Sequence, residues 1–382
     1  MILSNATIVT EAFELEQLDI EISGDKIVAI GEHLEGNDKM DMTGKYILPG
    51  FIDVHIHGAC GDRISDENPD IQKILNFEAT QGVTSIALSL AVNTYENMLN
   101  QVDRAVKASK EIKNTTKIIA INAEGPFLNK KYKGAMGEEH LIAPDIHKLD
   151  EMIKHGNGLL KIIAIAPETE NALEFVKHAV DNGITVSIGH TDATYEEAMK
   201  AIDAGATHAV HTFNAMRPFN HRETGVLGAV LTDDRVNCEA ICDYVHLNPV
   251  TIDILYKLKG AEHMIMVSDS VNAAGMEIDE FVAEGVVHVI KDGVVRLLDG
   301  TIAGSAKTLL NGVQHLIKRG IPIKDVAKMA SYNPAKSIKM EKEVGSISIG
   351  KYADLVVLDN EYNVACTYIN GRCVYDSRLK SM

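Results

Sequence analysis

The 382-residue sequence predicts an α/β fold, a (β/α)8 TIM-like barrel carrying a small β-sandwich built from both ends of the chain. Three observations support that prediction. Eight short apolar runs recur through the middle of the chain, most of them followed by sequence of helical period. The two ends have a different texture, in which apolar and polar residues alternate between Gly-marked turns. Imidazoles and carboxylates fall where the apolar runs finish, and barrels keep their chemistry at the C-terminal ends of their strands.

In chain order, residues 1–49 read as short strands, "ATIVT", "LDIEIS", "DKIVAIG" and "KYILPG". The barrel strands follow as "GFIDVHIH" (50–57), "TSIALSL" (84–90), "KIIAINAE" (117–124) and "KIIAIAPE" (161–168). The second half supplies "ITVSIGH" (184–190), "THAVHTFN" (207–214), "NCEAICD" (237–243) and "HMIMVSDS" (263–270). Between them, "QKILNFEATQG", "ALEFVKHAVDNG" and "YEEAMKAIDAGA" are amphipathic helices that finish near Gly, as helix C-termini prefer. The tail returns to strand texture with "GSISIGKYADLVVLDN", "VACTYING" and "RCVYD". Neither end is long enough for a core of its own, so residues 1–49 and 345–382 are expected to form one discontinuous β-domain around a barrel of 50–344. An open doubly wound sheet is the rival arrangement for the same runs.

Composition limits the function. At 46% hydrophobic and 24% charged residues, the chain is an ordinary globular one. No apolar run approaches the ~20 residues of a membrane span. The start, "MILSNATIVT", lacks a basic region and a small-residue cleavage site. Five scattered cysteines without CxxC spacing read as reduced thiols, which points to the cytoplasm. A formal net charge of −17 argues against nucleic acid and anionic membranes as partners. An anionic substrate would need a local cationic pocket.

Within "FIDVHIHG", side chains alternate faces, so Asp53, His55 and His57 are expected on one side. Reading the other strand ends adds Glu124, His190, His211 and Asp269, with His246 just beyond strand 7. His and carboxylate ligands of this kind suit Zn²⁺ or Fe²⁺, with Mn²⁺ and Co²⁺ also possible. His55, His57 and Asp269 could hold one divalent ion, and His190 and His211 a second, with Glu124 bridging. Singly, each residue has a structural explanation; Glu124 before Gly-Pro can close a turn and Asp269 can cap a helix. Six coinciding at the strand ends outweigh those readings. His33, His147, His155, His178, His263, His288 and His315 are expected to be structural or solvated. A second group, "HTFNAMRPFNHRETG" (211–225), offers the backbone amides of Asn214 and Ala215 and the cations Arg217 and Arg222 to an anion, though it equally suits a solvated loop. "AEGPFLNKKYKG" (123–134), with Lys130, Lys131 and Lys133, is either a lid or an exposed lysine run.

"PGFIDVHIHG", "AEGPF", "IGHTDAT", "HTFNAM", "MVSDS", "AGSAKTL" and "GKYADLVVLD" together resemble the amidohydrolase superfamily. Within it, they are similar to the N-acetylglucosamine-6-phosphate deacetylase family, over roughly residues 1–375. The resemblance implies a barrel with a β-sandwich from both termini, one or two divalent ions, a phosphorylated amino sugar as substrate and a homodimer. It implies that Glu124, His190 and His211 are the principal metal ligands, that His55 and His57 add a second position, and that Asp269 is the catalytic carboxylate. His246 then contacts substrate, while the Asn214 and Ala215 amides and Arg222, from its own or a neighbouring subunit, meet the phosphate. The expected reaction is attack of metal-activated water on the N-acetyl carbonyl, giving glucosamine 6-phosphate and acetate. Alternatives on the same fold are hydrolysis of N-acetylgalactosamine 6-phosphate, of an N-acyl amino acid or of a dihydroorotate-like ring, or a non-enzymatic scaffold. One departure stands out: "KGAMGEEH" places Met136 where many members of the family carry a polar residue, often His.

Overall fold

The computed structural model describes residues 1–283 and 285–381. Eight parallel strands pair in chain order: β1 (Phe51–Ile56), β2 (Val83–Leu90), β3 (Lys117–Ala123), β4 (Leu160–Ile165), β5 (Thr185–Ile188), β6 (His208–Ala209), β7 (Asn237–Ile241) and β8 (Met264–Val267). The ends of β8 and β1 meet through a bridge between Ile56 and Ser270. There the Asp269 N–H donates to the His55 carbonyl and the His57 N–H to that of Ser270, both at 2.9 Å. The predicted (β/α)8 barrel is borne out. Its floor is apolar, built from Ile52, Val54, Ala87, Ala120, Ile162 and Ile265 among others. The polar mouth lies at the opposite, C-terminal ends of the strands.

Several strands stop earlier than their apolar runs suggest. β5 ends at Ile188 and β6 at Ala209, so His190 and His211 stand beyond the last paired residues. Past the ladder, the backbone adopts conformations that pairing forbids: φ is +23° at His211, +80° at Phe213, +51° at Ala215 and +49° at Asp269. Such left-handed positions in non-glycine residues cluster at functional sites. Gly189 precedes His190 with φ of +132°, and a Cβ there would lie 2.5 Å from Val210 Cγ1, so only glycine fits. After His190 the chain re-enters a helix at Tyr195–Asp203, whose start is fixed by a reciprocal capping box between Thr194 and Glu197.

β1 differs from the simple alternation. Its register against β2 shifts between Asp53 and Ile56, with three steps on β1 facing two on β2. This bulge breaks the expected alignment of Asp53 with the two histidines. Ile52 and Val54 pack in the barrel floor, while the Asp53 carboxylate accepts from the backbone amides of His55 (3.1 Å) and Ser268 (3.3 Å). Burial pushes Asp53 up to about 6, and its charge adds to the burial that raises Glu78 on the neighbouring helix.

Both chain ends enter one sheet. Its order runs 372–376, 364–369, 355–358, 46–49, 2–9, 15–23 and 26–31, with 39–41 beside 2–9. Leu3, Ile8, Ile20, Ile27, Ile47, Leu355 and Tyr368 form its own core. Each fully buried Leu or Ile side chain contributes about 1.5–3 kcal/mol. An ion pair from Lys117 on β3 to Asp354 ties the sheet to the barrel.

One element lies outside the sequence expectation. Between β8 and the helix Leu309–Lys318, strands 280–283, 286–291, 294–297 and 302–305 form a four-stranded antiparallel sheet. Its cue was present in "KDGV" and "LDGT": Asp292 and Gly293 both take positive φ, as a tight hairpin turn requires. Among the described residues, no helix is long and apolar enough to cross a membrane.

His208 on β6 gives a stability prediction. Its ring is buried, Nε2 has no partner among the described residues, and burial, partly offset by Glu239, pushes its pKa down to about 4. The folded state holds this ring neutral whereas the unfolded chain protonates it near 6.5. Its contribution is therefore full about one unit above pH 6.5 and is lost as pH falls through 6.5 towards 4, a change of about 3 kcal/mol. Replacing His208 with Leu should shrink the acid destabilisation by about that amount, as read from urea midpoints at pH 7.5 and 4.0.

Candidate metal centre

The barrel mouth brings six of the predicted residues together. His55, His57 and Asp269 offer ligand atoms within 4.8 Å of one another, and so do Glu124, His190 and His211. Glu124 lies between the groups. Its Oε1 is 3.0 Å from His211 Nε2 and 3.2 Å from His190 Nε2, while Oε2 is 3.2 Å from His57 Nε2. Asp269 Oδ1 lies 3.5 Å from His57 Nε2 and 3.7 Å from His55 Nε2.

The hydrogen bonds behind the rings test whether a cation fits. His190 Nδ1 is 2.7 Å from the Tyr132 carbonyl, so it carries the proton and its Nε2 presents a bare lone pair. His55 Nδ1 is held at 3.0 Å by Glu239, again leaving Nε2 bare, and that atom has no hydrogen-bond partner among the described residues. Bare nitrogens facing carboxylate oxygens, and His190 Nε2 only 3.1 Å from His211 Nε2, repel unless a cation lies among them. The residues fit a metal of the kind bound by N and O donors. The charged groups of the cluster also shift one another. Burial resists ionisation of every group, yet the His190 and His211 rings against it hold Glu124 well below the usual carboxylate range. Asp269 is also lowered, because His57 and the charge of His55 outweigh its burial. In turn, Glu124 and Glu239 raise His55 well above 6.5 against its burial.

Glu239 is a supporting residue that the sequence reading missed. It is fully buried on β7, and one oxygen accepts from both His55 Nδ1 and the His211 backbone N–H, at 3.0 and 3.1 Å. It thereby aligns one ring from each donor group. A carboxylate inside the apolar run "NCEAICD" was the available signal, since a buried charge persists only where it is partnered.

The ligand cluster opens into a cavity of about 830 Å³. His57, Glu124, His190, His211, His246 and Asp269 line it; His55 lies behind them. The 123–140 loop supplies one wall, including Met136 and His140, and the inserted antiparallel sheet supplies Val286, Leu297 and His288. His288, expected to be structural or solvated, thus belongs to the cavity wall, and His140 joins it from the end of the stretch "KGAMGEEH". Arg63 brings a further guanidinium.

The expected anion loop is divided. Asn214 and Ala215 line the cavity, but the Asn214 N–H donates to the His211 carbonyl at 3.0 Å. Arg217 and Lys131 are both drawn to Asp192, at 2.9 and 2.8 Å. Arg222 is exposed, with its backbone N–H on Asn220, and does not line the cavity.

An imidazole–carboxylate cluster at the mouth of a (β/α)8 barrel, opening into a substrate-sized cavity, defines a metal-dependent hydrolase. The chain belongs to the amidohydrolase family, whose pattern matches residues 46–374. It is 31% identical over 379 residues to an N-acetylglucosamine-6-phosphate deacetylase of Lysinibacillus sphaericus, covering 97% of each chain. It is also 29% identical to an N-acetylgalactosamine-6-phosphate deacetylase of Escherichia coli O157:H7, covering 87% of this chain and 88% of that one. A mutant N-acetyl-D-glucosamine-6-phosphate deacetylase from Mycobacterium smegmatis, solved in complex with N-acetyl-D-glucosamine-6-phosphate, superposes with a TM-score of 0.91 at 30% identity. That match covers 98% of this chain and 99% of the other.

Proposed function

We propose that the protein hydrolyses the N-acetyl group of N-acetylglucosamine 6-phosphate, giving glucosamine 6-phosphate and acetate. The observation that carries this reading is the two-part ligand cluster with Asp269 inside it, in a chain that aligns end to end with deacetylases of that substrate. Glu124, His190 and His211 would hold one divalent ion and His55, His57 and Asp269 would hold a second, with Glu124 standing between the two groups. Zinc or iron(II) suits the donors best, and manganese or cobalt remain alternatives. When bound, the metal polarises a carbonyl and makes water acidic enough to ionise near neutral pH.

The protein's own residues perform the proton traffic. Asp269 faces both the ligand cluster and the cavity, so its carboxylate takes the proton from the attacking water. The water oxygen bonds to the acetyl carbon, and the tetrahedral centre then collapses with cleavage of the C–N bond. Amines leave poorly unless protonated, so Asp269 returns its proton to the departing nitrogen. His246 meets the sugar, and the Ala215 amide, Asn214 and Arg222 serve the phosphate. Because Arg222 is exposed and outside the cavity wall, this role fits a homodimer in which each Arg222 serves the neighbouring site. We place the enzyme in the cytoplasm, as its five unpaired cysteines suggest.

The test is acetate release from N-acetylglucosamine 6-phosphate and from its galacto epimer, with metal content measured on the same sample. Faster turnover of the galacto epimer would move the assignment to that sugar, which the E. coli relative's name makes the nearest alternative. Arg222→Ala should raise KM for the phosphorylated sugar about 100-fold, and leave KM for unphosphorylated N-acetylglucosamine within about twofold. Equal effects on both would remove Arg222 from the phosphate site.

A further inference from the structure

One buried carboxylate outside the metal cluster faces the ring of a residue that lines the cavity. Asp243 follows β7, and its Oδ2 lies 2.7 Å from His246 Nδ1. Its Oδ1 accepts from the backbone amides of Val245 and His246, both at 2.9 Å. The carboxylate is itself braced. Ser305 Oγ lies 3.5 Å from Oδ2, and Lys307 Nζ donates to the Asp243 carbonyl at 3.1 Å. The Ser305 N–H also donates to the Asp269 carbonyl at 2.9 Å, so one short segment supports both the Asp243 pair and Asp269. The His246 side chain is only 2% exposed, and its Nε2 has no hydrogen-bond partner among the described residues although the residue lines the cavity.

From this geometry we propose that Asp243 is a positioning residue: it fixes the proton of His246 on Nδ1, so that Nε2 is presented to the cavity as an acceptor for a ring hydroxyl of the bound sugar. An ionised carboxylate 2.7 Å from a ring nitrogen requires a proton on that nitrogen, and in the neutral ring the other nitrogen is then a bare lone pair. A buried lone pair with no partner among the described residues is open to a donor that arrives with the substrate. An ester phosphate dianion has no proton to give, whereas every sugar hydroxyl does. The identity of the donor rests on the proposed function; the tautomer does not.

Two measurements test it. The first reads the ring directly, by long-range proton–nitrogen NMR on histidine-labelled, zinc-loaded protein. His246 of the wild type should carry its proton on Nδ1. In Asp243→Asn, where the amide keeps the two backbone bonds but can donate to Nδ1, the proton should move to Nε2. The second reads kinetics with N-acetylglucosamine 6-phosphate. Asp243→Asn should raise KM about tenfold, the worth of one lost hydrogen bond, with kcat within about twofold. A wild-type His246 protonated on Nε2 overturns the proposal even if the variant fails to fold. So does a variant whose kcat falls as far as kcat/KM with KM unmoved. A wild-type protein that releases no acetate would instead overturn the proposed substrate, and the NMR result would still decide what Asp243 does.

Discussion

Asp269→Asn should leave a folded, metal-loaded protein whose kcat falls by on the order of 10³-fold or more. The amide retains the size and one acceptor oxygen of the carboxylate, so the backbone bonds that close the barrel at His55 and Ser305 persist. What it loses is the ability to take a proton from water and return it to nitrogen. General acid–base catalysis is worth about 10²–10⁴-fold, and here one group serves both halves of the reaction. The pair to measure is kcat and metal per chain on one preparation. Near-normal turnover with normal metal would exclude Asp269 as the proton carrier. Low turnover with lost metal would make it a ligand first.

The second large effect concerns Glu124. Its two oxygens address different halves of the cluster, 3.0 Å from His211 and 3.2 Å from His57. Replacing it with Ala should therefore lower metal content at both positions after dialysis and reduce kcat by on the order of 10³-fold. His57→Ala makes the contrast, because His57 is a ligand only in the first group and its loss should leave an ion on Glu124, His190 and His211. If Glu124→Ala retains a full complement of metal, the carboxylate is not shared. If His57→Ala empties both positions, the two groups are one site.

Much of this centre was legible in the sequence because its residues violate the pattern around them. His55 and His57 sit in an apolar strand where a core has no use for imidazole, and Glu124, His190, His211 and Asp269 each end a β-like run. Fold class was readable for a related reason: eight runs each need a partner on either side, and parallel pairing in chain order satisfies all of them. What escaped was whatever depends on a local break in periodicity or on distant chain. Asp53 was misaligned with the histidines because a one-residue bulge does not show in an alternating pattern. Strands 5 and 6 were read too long because His190 and His211 leave the ladder in order to reach the metal position. Glu239 and Asp243 hide within or beside a single strand, and their meaning appears only when His55 and His246 are packed against them. His140 and His288 reach the cavity from loop and insertion, whose placement no periodicity encodes.

The sheet that joins both ends of the chain has a consequence for biosynthesis. Tyr46 pairs with Leu358, almost the whole length of the protein away. At the ribosome, the strand at 46–49 must wait on the order of tens of seconds for its neighbour to be made. Strands 2–31 can form their hairpins at once, but one edge of that early sheet stays open, with unpaired N–H and C=O groups that invite another nascent chain. The interval between the two ends is thus when the polypeptide is most exposed to aggregation. Arrival of residues 355–369 ends it by covering the open edge.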